Sequence, residues 1–311
     1  MILAVALLLG AAVVGWWSPW PLSRLTACAA PGTAIAWWLL TAAGVIASTV
    51  AGVLLLVLPG HGPATAIMAV LHDCWAAVSH DHLPALDPIV GGAAAVIVLA
   101  AAARLALASA GRRRRRNVLH RRHLAALRLS GPATGRAVPT LWLEHDEPVA
   151  YSLGGRRPLV VASTGLAGRL SDPELRAVLA HERAHVRGHH HALTTFAEVL
   201  GRTLRVVPLM RELPGAVRLL VELAADRAAA EQCGFAPLRA ALLSIRAVNG
   251  PRRALAMAGG DIAIRLQHLT ADTGPRFLAP VKGFAGGLAA LLASPAVAAG
   301  LVLTTGLISC P

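Results

Sequence analysis

The sequence predicts a mainly α, multi-pass membrane protein in which about four transmembrane helices frame an α+β domain with a small β-sheet. Three observations predict it. The 311 residues are 56% hydrophobic and only 14% charged, with a mean hydropathy of +0.60, whereas a soluble domain averages about 25% charged. Four apolar runs come near or exceed the roughly 20 residues that cross a bilayer as a helix. The charge is also segregated: of 29 Lys and Arg, only Arg24 and Arg104 precede residue 111.

The elements follow in order. Met1 to about Trp17 is apolar throughout and lacks the basic n-region of a signal peptide. It leads into Trp16, Trp17 and Trp20, side chains suited to a membrane interface. Residues 32–58 form a second apolar run and 88–110 a third, whose Arg104 lies close enough to the end to snorkel out. Residues 284–308 form the fourth, with a kink expected at Pro295. The expected divisions are therefore 1–110, a membrane region with three spans; 111–280, a soluble domain; and 281–311, a C-terminal transmembrane helix.

Orientation follows from the Lys/Arg bias. The 59–87 loop has no Lys or Arg and three Asp, while Arg24 follows the first span, five arginines (112–116) follow the third, and Lys282 precedes the fourth. All four place both termini outside the cell membrane and residues 111–280 in the cytoplasm. The arginine run, set directly after an apolar span, reads as an anchor on the anionic lipid bilayer, and no direct nucleic-acid contact is expected. Cys28, Cys74, Cys233 and Cys310 include no C-x-x-C pair, so neither a disulfide framework nor a cysteine zinc site is expected.

The soluble segment opens with a basic helix through Leu129. Three β-like runs follow, at 140–144, 149–153 and 158–163, with Gly154-Gly155 as a hairpin signal. The last run is a candidate edge strand for receiving an extended substrate. Ser171-Asp172-Pro173-Glu174 is a capping box with proline in the first turn. Leu175, Val178, Leu179 and Ala180 then give the helix an apolar face. Further helices are expected at 192–210, ended by Pro214 and Gly215, and at 217–231, 236–248 and 261–270.

The capped helix leads into His181-Glu182-Arg183-Ala184-His185, a match to H-E-x-x-H. Two histidines four residues apart leave one helix face and can share a zinc ion, and Glu182 is placed to take a proton from a metal-activated water. With this composition a chance match is about a 1–2% event, so the context decides, and a capped helix behind a small sheet is the context the motif needs. A catalytic zinc takes three protein ligands and keeps one position open. Two residues compete for the third place. Glu222 lies 37 positions beyond His185 on a separate helix, with Asp226 at i+4 to orient a ligand histidine through its outer nitrogen. His191 completes H-E-x-x-H-x-x-G-x-x-H, the metzincin pattern, but within a histidine-rich run and without a convincing Met-turn.

The stretch LSDPELRAVLAHERAH followed by ELAAD resembles the E-x-x-A-D gluzincins, which include HtpX-like membrane proteases, CAAX-prenyl endopeptidases and BlaR/MecR-type sensor-transducers. Three spans, a cytoplasmic protease domain and a final span look most like the BlaR/MecR type. The resemblance implies one zinc per chain held by His181, His185 and Glu222, Glu182 as catalytic base, and Asp226 behind the ligands. It also implies a cytoplasmic protein substrate, such as a winged-helix transcriptional repressor. The sequence ends three residues after the fourth span, so the penicillin-binding sensor domain of that type is not expected. An HtpX-like quality-control protease is the alternative enzyme reading. A membrane signalling scaffold with a structural zinc is the non-enzyme one, against which Glu182 argues. No oxyanion stabiliser stands out; Tyr151 is a weak candidate with packing as its expected role.

Overall fold

A computed structural model describes residues 2–26, 29–57, 133–134, 138–155, 158–245 and 259–270, with a few single positions between 96 and 111. The N-terminal region is a helical hairpin of α1 (Ile2–Trp17), α2 (Pro19–Thr26) and α3 (Pro31–Val57). Between α1 and α2 the chain only bends, because Ser18 N–H still bonds Val14 O and Leu22 N–H bonds Ser18 O. The return helix runs antiparallel: Gly52 of α3 lies against Leu8 and Ala4, and Gly15 of α1 against Val45. The missing Cβ at Gly52 lets the two backbones approach; one there would fall 2.8 Å from Leu8 Cγ. Over residues Pro31–Leu55, α3 is long and apolar enough to cross a membrane, while α1 contributes a shorter apolar helix. The first two expected spans are thus helical. The third is described only at single helical positions, and the fourth, with the 59–87 loop and the arginine run, lies outside the described residues.

The sheet holds four strands in the order β1-β2-β4-β3: β1 (Ala133–Thr134), β2 (Thr140–Leu143), β3 (Ala150–Leu153) and β4 (Leu159–Ser163). The three expected runs are strands, and β3 and β4 form the antiparallel hairpin around Gly154-Gly155. One expectation is corrected. The 158–163 run is not an edge strand but lies between β2, to which it is parallel, and β3. Val160, Val161 and Ala162 are fully buried, because an unbroken apolar run is what a strand covered on both faces requires. Among the described strands the edges are β1 and β3.

Five helices complete the described domain: α4 (Thr164–Ala167), α5 (Asp172–Arg187), α6 (His190–Thr203), α7 (Pro208–Cys233) and, after a turn at Gly234, α8 (Phe235–Ile245), with α9 (Gly259–Thr270) beyond them. The capping box is present: the Glu174 carboxylate accepts from Ser171 N–H at 2.8 Å. The expected stop at Pro214 and Gly215 is wrong. The helix ends at Thr203, and Pro214 lies inside α7. Pro208 sets the boundary, since the residue before a proline is pushed out of the helical region, and Val207 is extended at φ −84°, ψ 118°. Pro214 costs one backbone bond, and α6 closes over that point because Gly201 carries no side chain; a Cβ there would lie 2.5 Å from Pro214 Cγ.

Three apolar cores join these parts. Val160, Ala162, Leu166, Val178 and Leu179 pack the sheet onto α5. Ala177, Ala180, Ala229 and Leu238 join α5, α7 and α8. In the largest core, Ile35, Trp38 and Ala42 of the hairpin are buried with Leu200 of α6 and Leu209, Leu213 and Val217 of α7. Each large side chain buried there contributes about 1.5–3 kcal/mol, so the hairpin and the α6–α7 pair share one core.

Candidate metal centre

The 3.6-residue period of α5 stacks His181 and His185 one turn apart on its buried face, with their Nε2 atoms 3.1 Å apart. From α7, Glu222 closes the triangle: Oε2 lies 3.6 Å from His181 Nε2 and Oε1 lies 3.4 Å from His185 Nε2. Zinc bonds of about 2.0–2.1 Å in tetrahedral geometry put ligand atoms about 3.3 Å apart, and each histidine Nε2 lies close to that distance from its partner and from one of the two Glu222 oxygens. Two borderline nitrogens and one carboxylate oxygen are a donor set that zinc accepts. Among the described residues this is the one group of His, Cys, Asp or Glu side chains close enough to share an ion.

Behind the triangle, Asp226 is buried, with Oδ1 2.9 Å from His181 Nδ1, close but off the line of an ideal hydrogen bond. Arg265 of α9 grips this carboxylate with two bonds, Nε to Oδ2 at 2.6 Å and Nη2 to Oδ1 at 2.7 Å, and its Nη1 lies 3.1 Å from Glu222 Oε2. Burial raises both acids, but hydrogen bonds and charge from His181 and Arg265, with His185 charge acting on Glu222, outweigh it and hold each at about 2. Burial lowers His181, yet Asp226 and Glu222 lift it to about 9. Burial and the His181 charge push His185 down to about 3. The acids therefore favour the charged form of His181 while burial disfavours that of His185; zinc takes neutral imidazoles, so loading would release a proton from His181.

Of the histidine run, His189 is exposed while His190 turns inward. Gly188 leaves room for the His190 ring, which a Cβ would strike, and His189 takes a left-handed φ of 51° that turns the chain into α6. His190 is thereby buried, its Nδ1 3.0 Å from His185 Nδ1, the nitrogen facing away from the triangle. His191 does not join the three donors. Its ring lies 6.2 Å from that of His185, and its Nε2 is 3.1 Å from Ser152 Oγ. The structure thus brings Glu222, and not His191, to the histidine pair.

A cleft of about 950 Å³ opens over the triangle. Its lining includes β3 residues 150–152, the apolar Leu242, Ile245 and Ile262, and the polar Thr194 and Glu198–Arg218 pair. Glu182 lines this cleft beside His181, and burial raises its carboxyl. The side chain of Tyr151 packs with Leu141 and Val161, apart from the core that joins the sheet to α5, in keeping with a packing role.

Residues 110–217 match the profile of Peptidase family M48. This segment is similar to an M48 peptidase domain. A 73-residue stretch is 38% identical to the plastoglobule-localized metallopeptidase 48, chloroplastic, of Arabidopsis thaliana, covering 22% of this chain and 21% of that protein. The chain thus spans about a fifth of the length of the curated relative it matches. No solved structure matches. The M48 domain is a metallopeptidase domain, a coarser assignment than the BlaR/MecR type.

The M48 match ends at residue 217, before Glu222, Asp226 and Arg265, so these three join the site through geometry. Arg265 was missed in the sequence although a signal existed. On α9, Ile262, Arg265, Leu266 and Leu269 fall on the less exposed stripe at i, i+3, i+4 and i+7. An arginine on such a stripe needs a buried acid, and Asp226 was available. His190 was missed because only the Gly188-His189 turn directs it inward.

Proposed function

We propose that this chain is a membrane-anchored zinc endopeptidase, with one zinc per chain, cutting a protein segment on the cytoplasmic side. The observation that carries the reading is the triangle of His181, His185 and Glu222 at tetrahedral spacing, with Glu182 beside it in a cleft edged by β3. Zinc, when bound, supplies a Lewis acid that polarises the scissile carbonyl and brings the pKa of a water toward about 7. Glu182 acts as general base toward that water and then passes the proton to the leaving amine; a carboxyl raised by burial is suited to both steps. The exposed edge of β3 takes the substrate as an added strand, with main-chain bonds fixing its register over α5. Asp226 and Arg265 hold His181 and Glu222 in place, and His190 fixes the ring of His185 through its outer nitrogen.

The BlaR/MecR resemblance supports a finer reading, in which the substrate is a transcriptional repressor and cleavage changes gene expression. Lys/Arg bias and the apolar α3 support anchoring with the domain in the cytoplasm. The test compares full-length wild type with Glu182→Gln for zinc content and for cleavage of a repressor and of unfolded membrane proteins. Retained zinc with cleavage reduced about 10²–10⁴-fold is expected, and equal cleavage by both forms contradicts the mechanism. Preferential cleavage of unfolded membrane proteins would replace the repressor reading with quality control.

A further inference from the structure

We propose that the turn between α6 and α7, residues 204–207, enters the interfacial layer of an anionic lipid bilayer and sets the height of the metal centre above it. The inference rests on the membrane-anchored reading above.

The level of the turn is fixed by contact. Val207 touches α1 at Gly15, where an added Cβ would lie 2.9 Å from Val207 Cγ1, and Val45 of α3 meets the same point. At that level α1 turns Trp16 and Trp17 outward, and Trp20 follows one turn on, 61%, 66% and 64% exposed. Indole rings collect at the boundary between lipid and water. On one side of this level the exposed side chains of the hairpin are aliphatic: Leu9, Val13, Val50, Leu54 and Leu55. On the other side the apolar half of α3 is covered by protein, since Ala34, Ile35, Trp38 and Ala42 share a core with α7. Among the described residues the apolar surface left for lipid runs from about Gly15 and Val45 toward Ile2 and Val57, about 20 Å of helix, which enters the bilayer from this level rather than crossing it. The boundary falls beside the turn rather than at Pro31.

The turn is built for that boundary. Val206 at its tip is 84% exposed, a β-branched aliphatic with no protein over it. Arg202, Arg205 and Arg211 surround it, all exposed. Among the described residues no acid pairs with Arg202 or Arg205, and Arg211 reaches only Glu212 at 3.8 Å. Arg24, across the tryptophan rim, stacks on Trp20 at 3.9 Å. Guanidinium groups thus stand on the turn and, with Arg24 on Trp20, beside the tryptophan rim, and such groups hold anionic headgroups. Glu222 lies fifteen positions beyond Val207, about 22 Å along α7. The turn and α7 together act as a strut under the metal centre.

The test uses the full chain with Cys28, Cys74, Cys233 and Cys310 replaced by serine. Val206→Cys or Glu231→Cys is labelled with an environment-sensitive fluorophore and reconstituted in phosphatidylcholine vesicles with or without phosphatidylglycerol. Residue 231 lies about 36 Å along α7 from Val207 and serves as the water control. Zinc content checks folding. The expected result is a blue shift and quenching by spin-labelled lipid at 206 but not at 231, reduced when phosphatidylglycerol is omitted or when Arg202 and Arg205 become glutamine. A chain that resists alkaline carbonate extraction while 206 is as water-exposed as 231 overturns the inference and leaves the anchoring intact. A chain that carbonate extracts overturns both.

Discussion

The helices α5 and α7 supply the three donor atoms by different physics. In α5 the two histidines are neighbours by helix geometry alone, and a local cap starts the helix and a local glycine ends it. In α7, Glu222 and Asp226 share a face just as locally, but nothing within the helix aims that face at α5. The aim comes from outside: Leu209, Leu213 and Val217 lock its first half against the hairpin, and Arg265 grips its acids from α9. One helix carries a self-contained half-site, and the other carries a half-site whose position depends on two distant parts of the chain.

That contrast can be broken most forcefully at Arg265. Arg265→Ala removes the bidentate partner of the buried Asp226 and a second cation from the part-exposed Glu222, a loss of about 3–5 kcal/mol, to be measured by denaturant unfolding of the metal-free chain. A loss below 1 kcal/mol would mean that α7 needs no clamp. Leu213→Ala is far from the donors and empties a buried site, for about 2–5 kcal/mol. If α7 transmits its packing, zinc affinity falls as well, whereas an unchanged affinity in the folded variant would make the two halves of α7 independent. Asp226→Asn keeps the shape but weakens the hold on His181 and Arg265, and zinc affinity measured by chelator competition should fall about 10–100-fold.

The same contrast explains what the sequence could convey. The His181/His185 pair, the Ser171 cap and the three strand runs are carried by spacings of two to four residues, and the chain displays them directly. Glu222 and Asp226 were legible as a pair through their own i+4 spacing. Which strand forms the edge was not: β3 and β4 are both short and apolar, and only the parallel pairing of β2 with β4 puts β4 inside. The stop at Pro208 was overlooked in favour of Pro214, because a proline removes a single helix bond and the neighbouring Gly201 accommodates it. Arg265 needed a partner 39 residues away. Half of the apolar run in α3 is matched to α7 rather than to lipid, a distinction that composition cannot draw.

The account rests on Glu222 rather than His191 completing the donor set with His181 and His185. Zinc per chain, measured by elemental analysis of purified wild type, Glu222→Ala and His191→Ala, tests this directly. One equivalent in wild type and His191→Ala, with loss in Glu222→Ala, is the expected result. Retention in Glu222→Ala with loss in His191→Ala would contradict the account and return the chain to the metzincin alternative.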